Sequence, residues 1–416
     1  MFLSGILSAQ DFDFGAKTQV SLLVPTAMAK AGDTIEIGVH LKMPNGWHTY
    51  WRNPGENGAA TSIKLNLPKG ITTGAIQWPV PERIEWLEMF NYGYHKEVLL
   101  IIPITLDAEL KAGKYDLKGK VEWLECEETC IPGEAEVAAV LLVGDETKPG
   151  EHAAFFKKWH AKLPDTESTL ELSAKWVGET KKGARAINLT VRAGQGVKVE
   201  FIPYSTKGLK WSITNSSTVK GAEDPNSTII QKIIKSQSGT WPAKIPGVLR
   251  MEAGGRVKGF RAEFILPGSW KRLSPKEIVK SFTTLWQAGE KLRQLRQTGV
   301  EWRIWSPKAV VEARAAGHPV LVCFSADWCL VSKYNQHKAI EVKPVFQKLE
   351  KIKGVAFFAD YTEKNPEITK ALQRHKRAGP PLVLVYPPKG NPIILPPVMN
   401  SPEKILEALD KATPPR

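Results

Sequence analysis

Cys329 lies in the stretch FSADWCLVSKYN, where the apolar run VLVCFSA gives way to a segment of helical pattern. A thiol at the start of a helix feels unpaired backbone N–H groups and the positive end of the helix dipole. Both favour the thiolate, which is the nucleophile of disulfide exchange, and both are expected to lower the thiol pKa. The flanking Asp327-Trp328 and the sharp turn set this cysteine apart from one that only packs in a loop. Ser332 follows three residues on, about one helical turn, so it stands beside the sulfur. A cysteine there would close a small disulfide, whereas a serine can only hydrogen-bond. A mixed disulfide formed at Cys329 would then persist until another thiol arrived.

Cys126 and Cys130 stand in VEWLECEETCIPGEAEV. In a straight strand, residues four apart are about 13 Å from each other. A disulfide needs Cα atoms roughly 4.4–6.8 Å apart, so the chain must turn between them. EETCIPG has the polar residues and Pro-Gly of such a turn. Three readings stay open: a redox pair, a structural disulfide, or two ligands of a metal site. Cross-linking so short a loop adds little entropic stability, and an exposed short-loop disulfide suits exchange. Two ligands alone are too few for structural zinc. Cys323, between Val322 and Phe324, reads as buried inert core.

The rest of the composition narrows the classes. Net charge is +14, but the basic residues are scattered; runs such as Lys181-Lys182-Gly183-Ala184-Arg185 lack interleaved aromatics. A nucleic-acid partner is not expected. No window approaches the roughly 18 apolar residues of a membrane span. The opening MFLSGILSAQ resembles the tail of a secretory signal, partial or truncated because it has no basic start. Gly194 and Gly196 form a lone Gly-x-Gly inside a β block, which is not a dinucleotide site, and no cofactor is implied.

The pattern of elements gives an α/β domain behind two β domains. Residues 12–145 alternate apolar and polar in runs such as DTIEIGVHLKM, broken by Pro-Gly and Asn-Gly, as expected of a β-sandwich carrying the Cys-x-x-x-Cys. Residues 165–268 read as a second β-sandwich, with a short helix in the link before it. Residues 269–299 read as a helical linker, with Ser274 as N-cap, Pro275 at the first helical position and Gly299 as stop. From 300 to 416, strands and helices alternate, as in SPKAVVEARAAG, HPVLVCFSA, GVAFFADYT and PLVLVYPPKG; this predicts a central sheet covered by helices.

Five motifs in order resemble the DsbD/ScsB family of periplasmic thiol:disulfide interchange proteins: GWHTYWRNPGENGAATSIKLNLPKG, YGYHKEVLLIIPI, WLECEETCIPGEAEV, HPVLVCFSADWCLVSKYN and AGPPLVLVYPPKG. The resemblance implies an N-terminal immunoglobulin-like redox domain and a C-terminal thioredoxin-like domain. Reduced Cys329 would attack a Cys126–Cys130 disulfide, and the reduced pair would pass electrons to disulfide-bearing periplasmic proteins. Pro381 matches the family's cis-proline, although Pro380 replaces the usual aliphatic residue before it. Phe90 and Tyr92, in EMFNYGYHKEV, are candidates for the loop that caps the N-terminal pair, or for ordinary aromatic packing.

Three departures from the family matter. Its membrane-embedded middle has no counterpart here, so a separate membrane electron donor is expected. Ser332 replaces the second cysteine, which implies either a natural one-thiol site or an introduced trap. Cys323 sits where thioredoxins often carry a buried acid, leaving the helix terminus alone to support the thiolate. Two other functions compete. Cys126, Cys130 and Cys329 could hold Cu(I), which thiolates suit, although the six Met residues do not cluster and His48 and His95 are isolated. The thioredoxin-like domain could instead be a degenerate, non-catalytic scaffold.

Overall fold

The computed structural model describes residues 15–413, except 87–88, 128, 167–169, 182, 207–208, 215–216, 222–223, 237–240 and 268–299. The sequence readings at residues 1–14 and at the helical linker lie outside the described residues. The chain divides into two compact units. One holds residues 18–124 and 134–294; the other holds 1–17, 125–133 and 295–416.

The first unit contains two β-sandwiches. In the first, a four-stranded sheet runs in the order Gln19–Leu23, Thr34–Lys42, Glu97–Leu106, Ile71–Thr73. Its centre is almost wholly apolar: Ile37, Val39, Leu41, Leu99 and Ile101 are fully buried. A larger sheet includes, side by side, the long strands Cys130–Gly144 and Gly113–Cys126, then His48–Gly55, Met89–His95 and Glu82–Trp86. Alternation along Gly113–Cys126 buries Leu117, Val121 and Trp123. The last four residues of that strand, Trp123 to Cys126, are all buried, so the strand carries its terminal cysteine inward.

The second sandwich packs a sheet containing Leu172–Lys181, Ala184–Arg192 and Ser227–Ser236 over a three-stranded sheet. Ile187, Leu189, Phe201, Ile230, Leu249 and Phe264 form its core. The middle strand of the three, Lys244–Ala253, interrupts its apolar pattern with Pro246-Gly247 and so reads as a break in sequence. Gly247 is required there, because a Cβ would run into the carbonyl oxygen of Ile202 and the Phe201 ring.

The other unit contains the α/β domain. Its sheet runs in the order Trp302–Ile304, Val355–Asp360, Val320–Ser325, Leu382–Tyr386, Ile393–Ile394. The first three strands are parallel and the last two antiparallel. Val320–Ser325 is buried along its whole length, as a central strand covered on both faces must be. Ser306 caps the helix Pro307–Ala315 by accepting from the Ala309 N–H, with Pro307 at the first position. Asn365 caps Pro366–Arg374 in the same way. Leu349, Ile405 and Leu409 close the core on one face of the sheet.

Candidate functional site

The strand Gly113–Cys126 ends on one cysteine and Cys130–Gly144 begins on the other, so a three-residue turn brings Cys126 and Cys130 together. Their Cα atoms are 4.2 Å apart and the two are disulfide-bonded. The sequence pattern places Pro132-Gly133 in the turn. In the structure both already belong to the returning strand, and the turn consists of residues 127–129, with the Glu127 N–H donating to the Thr129 carbonyl.

Both sulfur-bearing residues are buried, Cys126 at 3% and Cys130 at 2% exposure, so the pair is not the exposed hairpin disulfide that the sequence suggests: the strand ends that carry it turn inward. Glu125, the residue before the pair, is fully buried and accepts from the Lys17 backbone N–H at 2.6 Å. Nothing in the sequence singles out this carboxylate, because a charge in an alternating strand reads as solvent-facing.

Cys329 is the N-cap of the short helix Leu330–Asn335. The Ser332 hydroxyl donates to Cys329 Sγ at 3.0 Å, the geometry expected of one helical turn. The preceding residues are pinned: Trp328 Nε1 donates to the Thr362 carbonyl at 3.2 Å, and the Asp327 N–H donates to Thr362 Oγ1. Lys333 and Asp327 pair at the rim of the site, 3.0 Å apart. Asn335 locks the helix end by donating to the Pro397 carbonyl and accepting from the Met399 N–H.

The thiol pKa differs from the sequence expectation. Burial pushes the Cys329 thiol up. The Ser332 hydroxyl, the Val331 and Ser332 N–H groups and Lys333 all pull it down, but by less. The helix terminus acts as anticipated; full desolvation outweighs it. Burial likewise pushes Cys323 up, as for an inert core thiol; it lies mid-strand between Phe358 and Val383. The alkylation rate of Cys329 should therefore still climb with pH beyond the ordinary thiol midpoint of about 8.5. Iodoacetamide kinetics followed by mass spectrometry will check this, and a plateau reached below pH 7 would contradict it.

Pro381 follows a cis Pro380–Pro381 bond. Gly379 precedes it, inside the unit that also holds residues 125–133. A Cβ on Gly379 would sit 3.2 Å from the Cys130 carbonyl oxygen and 3.9 Å from the Trp328 ring. The backbone before the cis-proline thus lies close to both the disulfide turn and the Cys329 loop, and a side chain there would crowd the turn. Phe90 and Tyr92 belong to the other unit. Tyr92 is a buried strand residue whose hydroxyl donates to Glu200 at 3.0 Å, and Arg83 lies 4.0 Å over the half-buried Phe90 ring. Among the described residues no three His, Cys, Asp or Glu side chains gather to hold a metal ion. The copper alternative finds no support. His48 and His95 are not isolated: their rings meet at a tilt, with centroids 5.6 Å apart. Burial, and then the His95 charge, lower His48 to about 4, so it is neutral at physiological pH.

Residues 19–142 match the family described as thiol:disulfide interchange protein DsbD, N-terminal, and residues 301–388 match a thioredoxin-like family. Over 83 residues the chain is 36% identical to thiol:disulfide interchange protein DsbD 1 of Pseudomonas aeruginosa. That alignment spans 20% of this chain and 14% of the relative. Among solved structures, the N-terminal periplasmic domain of ScsB from Proteus mirabilis aligns with 59% of this chain and 91% of its own, at 16% identity and a TM-score of 0.40. The oxidised C-terminal domain of Neisseria meningitidis DsbD aligns with 26% of this chain and 99% of its own, at 23% identity and a TM-score of 0.23. No described helix is long and apolar enough to cross a membrane.

Proposed function

The chain belongs to the DsbD/ScsB family of thiol:disulfide interchange proteins, and from that premise we propose that it relays thiol equivalents from Cys329 to the Cys126–Cys130 pair and on to disulfide-bearing proteins of the periplasm. The observation that carries the reading is that the disulfide turn falls in one compact unit with the thioredoxin-like fold, its Cys130 carbonyl against the backbone before Pro381. In this reading the N-terminal β-sandwich spans 12–145, the second 165–268, the linker 269–299 and the thioredoxin-like domain 300–416.

The Cys329 thiol first gives up its proton, and its sulfur attacks one sulfur of the Cys126–Cys130 bond. That bond breaks, a mixed disulfide forms, and the displaced cysteine takes a proton. Ser332 has no thiol with which to break the mixed disulfide, so an external thiol attacks Cys329 Sγ and releases the pair fully reduced. A second external thiol then restores Cys329. Two donor thiols become one donor disulfide for each pair reduced. Burial raises the Cys329 thiol, so its proton must leave as the sulfur attacks. The cap role of Phe90 and Tyr92 rests on the family pattern, as does the donor, a separate membrane protein.

Cys329→Ala should abolish reduction of Cys126–Cys130 by external thiol at neutral pH, while circular dichroism and melting stay unchanged. The redox state of the pair, read by alkylation and peptide mapping, is the measurement. Reduction at the wild-type rate in the variant would refute the relay. A fully degenerate scaffold would give the same slow rate with and without Cys329.

A further inference from the structure

Between the two β-sandwiches of the larger unit lies a cavity of about 430 Å³, inside the size range of roughly 300–1,000 Å³ that holds small ligands. Its walls carry three aromatic rings, Trp51, Trp78 and Tyr204, and two guanidinium groups, Arg52 and Arg261. The sandwiches are tied together around it. Asn53 Nδ2 donates to the buried Pro203 carbonyl at 2.7 Å, and the Val80 N–H of the first sandwich donates to the Lys162 carbonyl of the link between them at 2.9 Å. The cavity therefore belongs to a fixed junction.

Two cationic donors of the lining have no carboxylate partner among the described residues. Trp51 is 1% exposed and closes the floor of the cavity with its ring. Arg52 lies 4.1 Å over the Tyr204 ring. Neither its guanidinium nor that of Arg261 meets a carboxylate among the described residues. The one carboxylate in the lining, Asp165, is already 3.3 Å from Lys258. A ligand that matches this lining brings negative oxygens for the two guanidinium groups, together with a flat apolar body for the rings. Carboxylates meet arginine in a paired, planar geometry, and aromatic rings stack on Trp and Tyr faces.

We propose that the junction between the two β-sandwiches is a binding site for an aromatic carboxylate, held by Arg52 and Arg261. The site is independent of the cysteines and of the relay. The same chemistry could come from a small acid or from the C-terminal carboxylate of a peptide ending in an aromatic residue, and the probes separate the two.

The test is calorimetric titration of the full chain with N-acetylphenylalanine and with its carboxamide, confirmed by ligand-observed NMR. The acid should bind with one-to-one stoichiometry and at least about tenfold more tightly than the amide, as expected for charge-assisted hydrogen bonds. Arg52→Gln and Arg261→Gln should each weaken binding about tenfold, and the double variant should show none. Both arginines are exposed, so these variants should fold. A tetrapeptide ending in Phe that binds more tightly than the small acid would assign the site to peptide ends within the proposal. Absence of saturable binding, equal affinity for acid and amide, full affinity in the double arginine variant, or inorganic phosphate binding as tightly as the acid would each overturn it.

Discussion

Ser332→Cys should raise thiol-driven turnover of the Cys126–Cys130 disulfide by about 100-fold or more at millimolar external thiol. The size follows from replacing a bimolecular step by an intramolecular one. Well-oriented neighbouring groups reach effective concentrations far above those of any thiol in solution, about 10⁵ M and upward in favourable cases. The orientation is already present, because the Ser332 hydroxyl sits 3.0 Å from Cys329 Sγ, on the same side of the helix turn and buried with it. A sulfur in place of that oxygen needs to move only about 1 Å to reach bonding distance. Exchanging oxygen for sulfur in this packed position should cost less than about 1.5 kcal/mol. The variant therefore keeps its fold while gaining a resolving thiol.

The dependence on external thiol separates this effect from a change in Cys329 reactivity. In the wild-type chain, turnover should rise linearly with monothiol concentration, because the thiol itself releases the mixed disulfide. In the variant, release no longer depends on it, and only reduction of the disulfide between Cys329 and the introduced thiol does. Steady-state rates across a range of 2-mercaptoethanol, with non-reducing mass mapping of the trapped species, give both numbers. If turnover is unchanged, Ser332 is not what limits exchange, and the step held back would be deprotonation of the buried Cys329 thiol.

How much of this site is legible in the sequence follows from what each residue does. The turn between Cys126 and Cys130 can be deduced because spacing alone forbids a straight strand there, and Ser332 can be placed on the sulfur because helical period fixes it. The inert core setting of Cys323 follows from local pattern for the same reason. The Cys329 pKa cannot be read in this way. Local sequence shows the helix terminus that lowers it, whereas burial, which raises it further, depends on what covers the loop. Gly379 and Thr362 are invisible because they act through backbone placement and a carbonyl, and Pro246-Gly247 reads as punctuation in what is a central strand. In the fold, the alternating β patterns and the buried strand VLVCFS carry through because their periodicity is the packing itself. The cavity at the sandwich junction leaves no sequence signal, since its walls come from segments far apart in the chain.

Lys232→Met should stabilise the protein at neutral pH, and the gain should shrink as pH rises. Lys232 is 1% exposed in the strand Ser227–Ser236. Burial, opposed by the Glu200 charge and reinforced by that of Arg83, lowers it to about 7. An unfolded lysine titrates near about 10.4. The folded pKa is thus the lower of the two, and between pH 7 and 10 the unfolded chain holds a proton that the folded chain does not. Stability therefore rises with pH across that window, by up to about 1.36 kcal/mol per unit. Below pH 7 both states are protonated and the burden is constant. Removing the amine removes the burden, so the variant should gain roughly 2–4 kcal/mol at pH 7 and converge on the wild type towards pH 10. Deleting one partner of a buried pair is normally destabilising, because the other charge is stranded. Here Glu200 keeps Arg83 at 3.3 Å and the Tyr92 hydroxyl at 3.0 Å, so it is not stranded. Urea unfolding of both proteins at pH 6.5, 8 and 9.5 isolates the effect, because titrating groups that do not interact with Lys232 cancel in the difference. A variant less stable than the wild type at pH 7, or a difference that does not change with pH, would show that Lys232 is held charged by Glu200 and that the ion pair, not the apolar strand around it, dominates this junction.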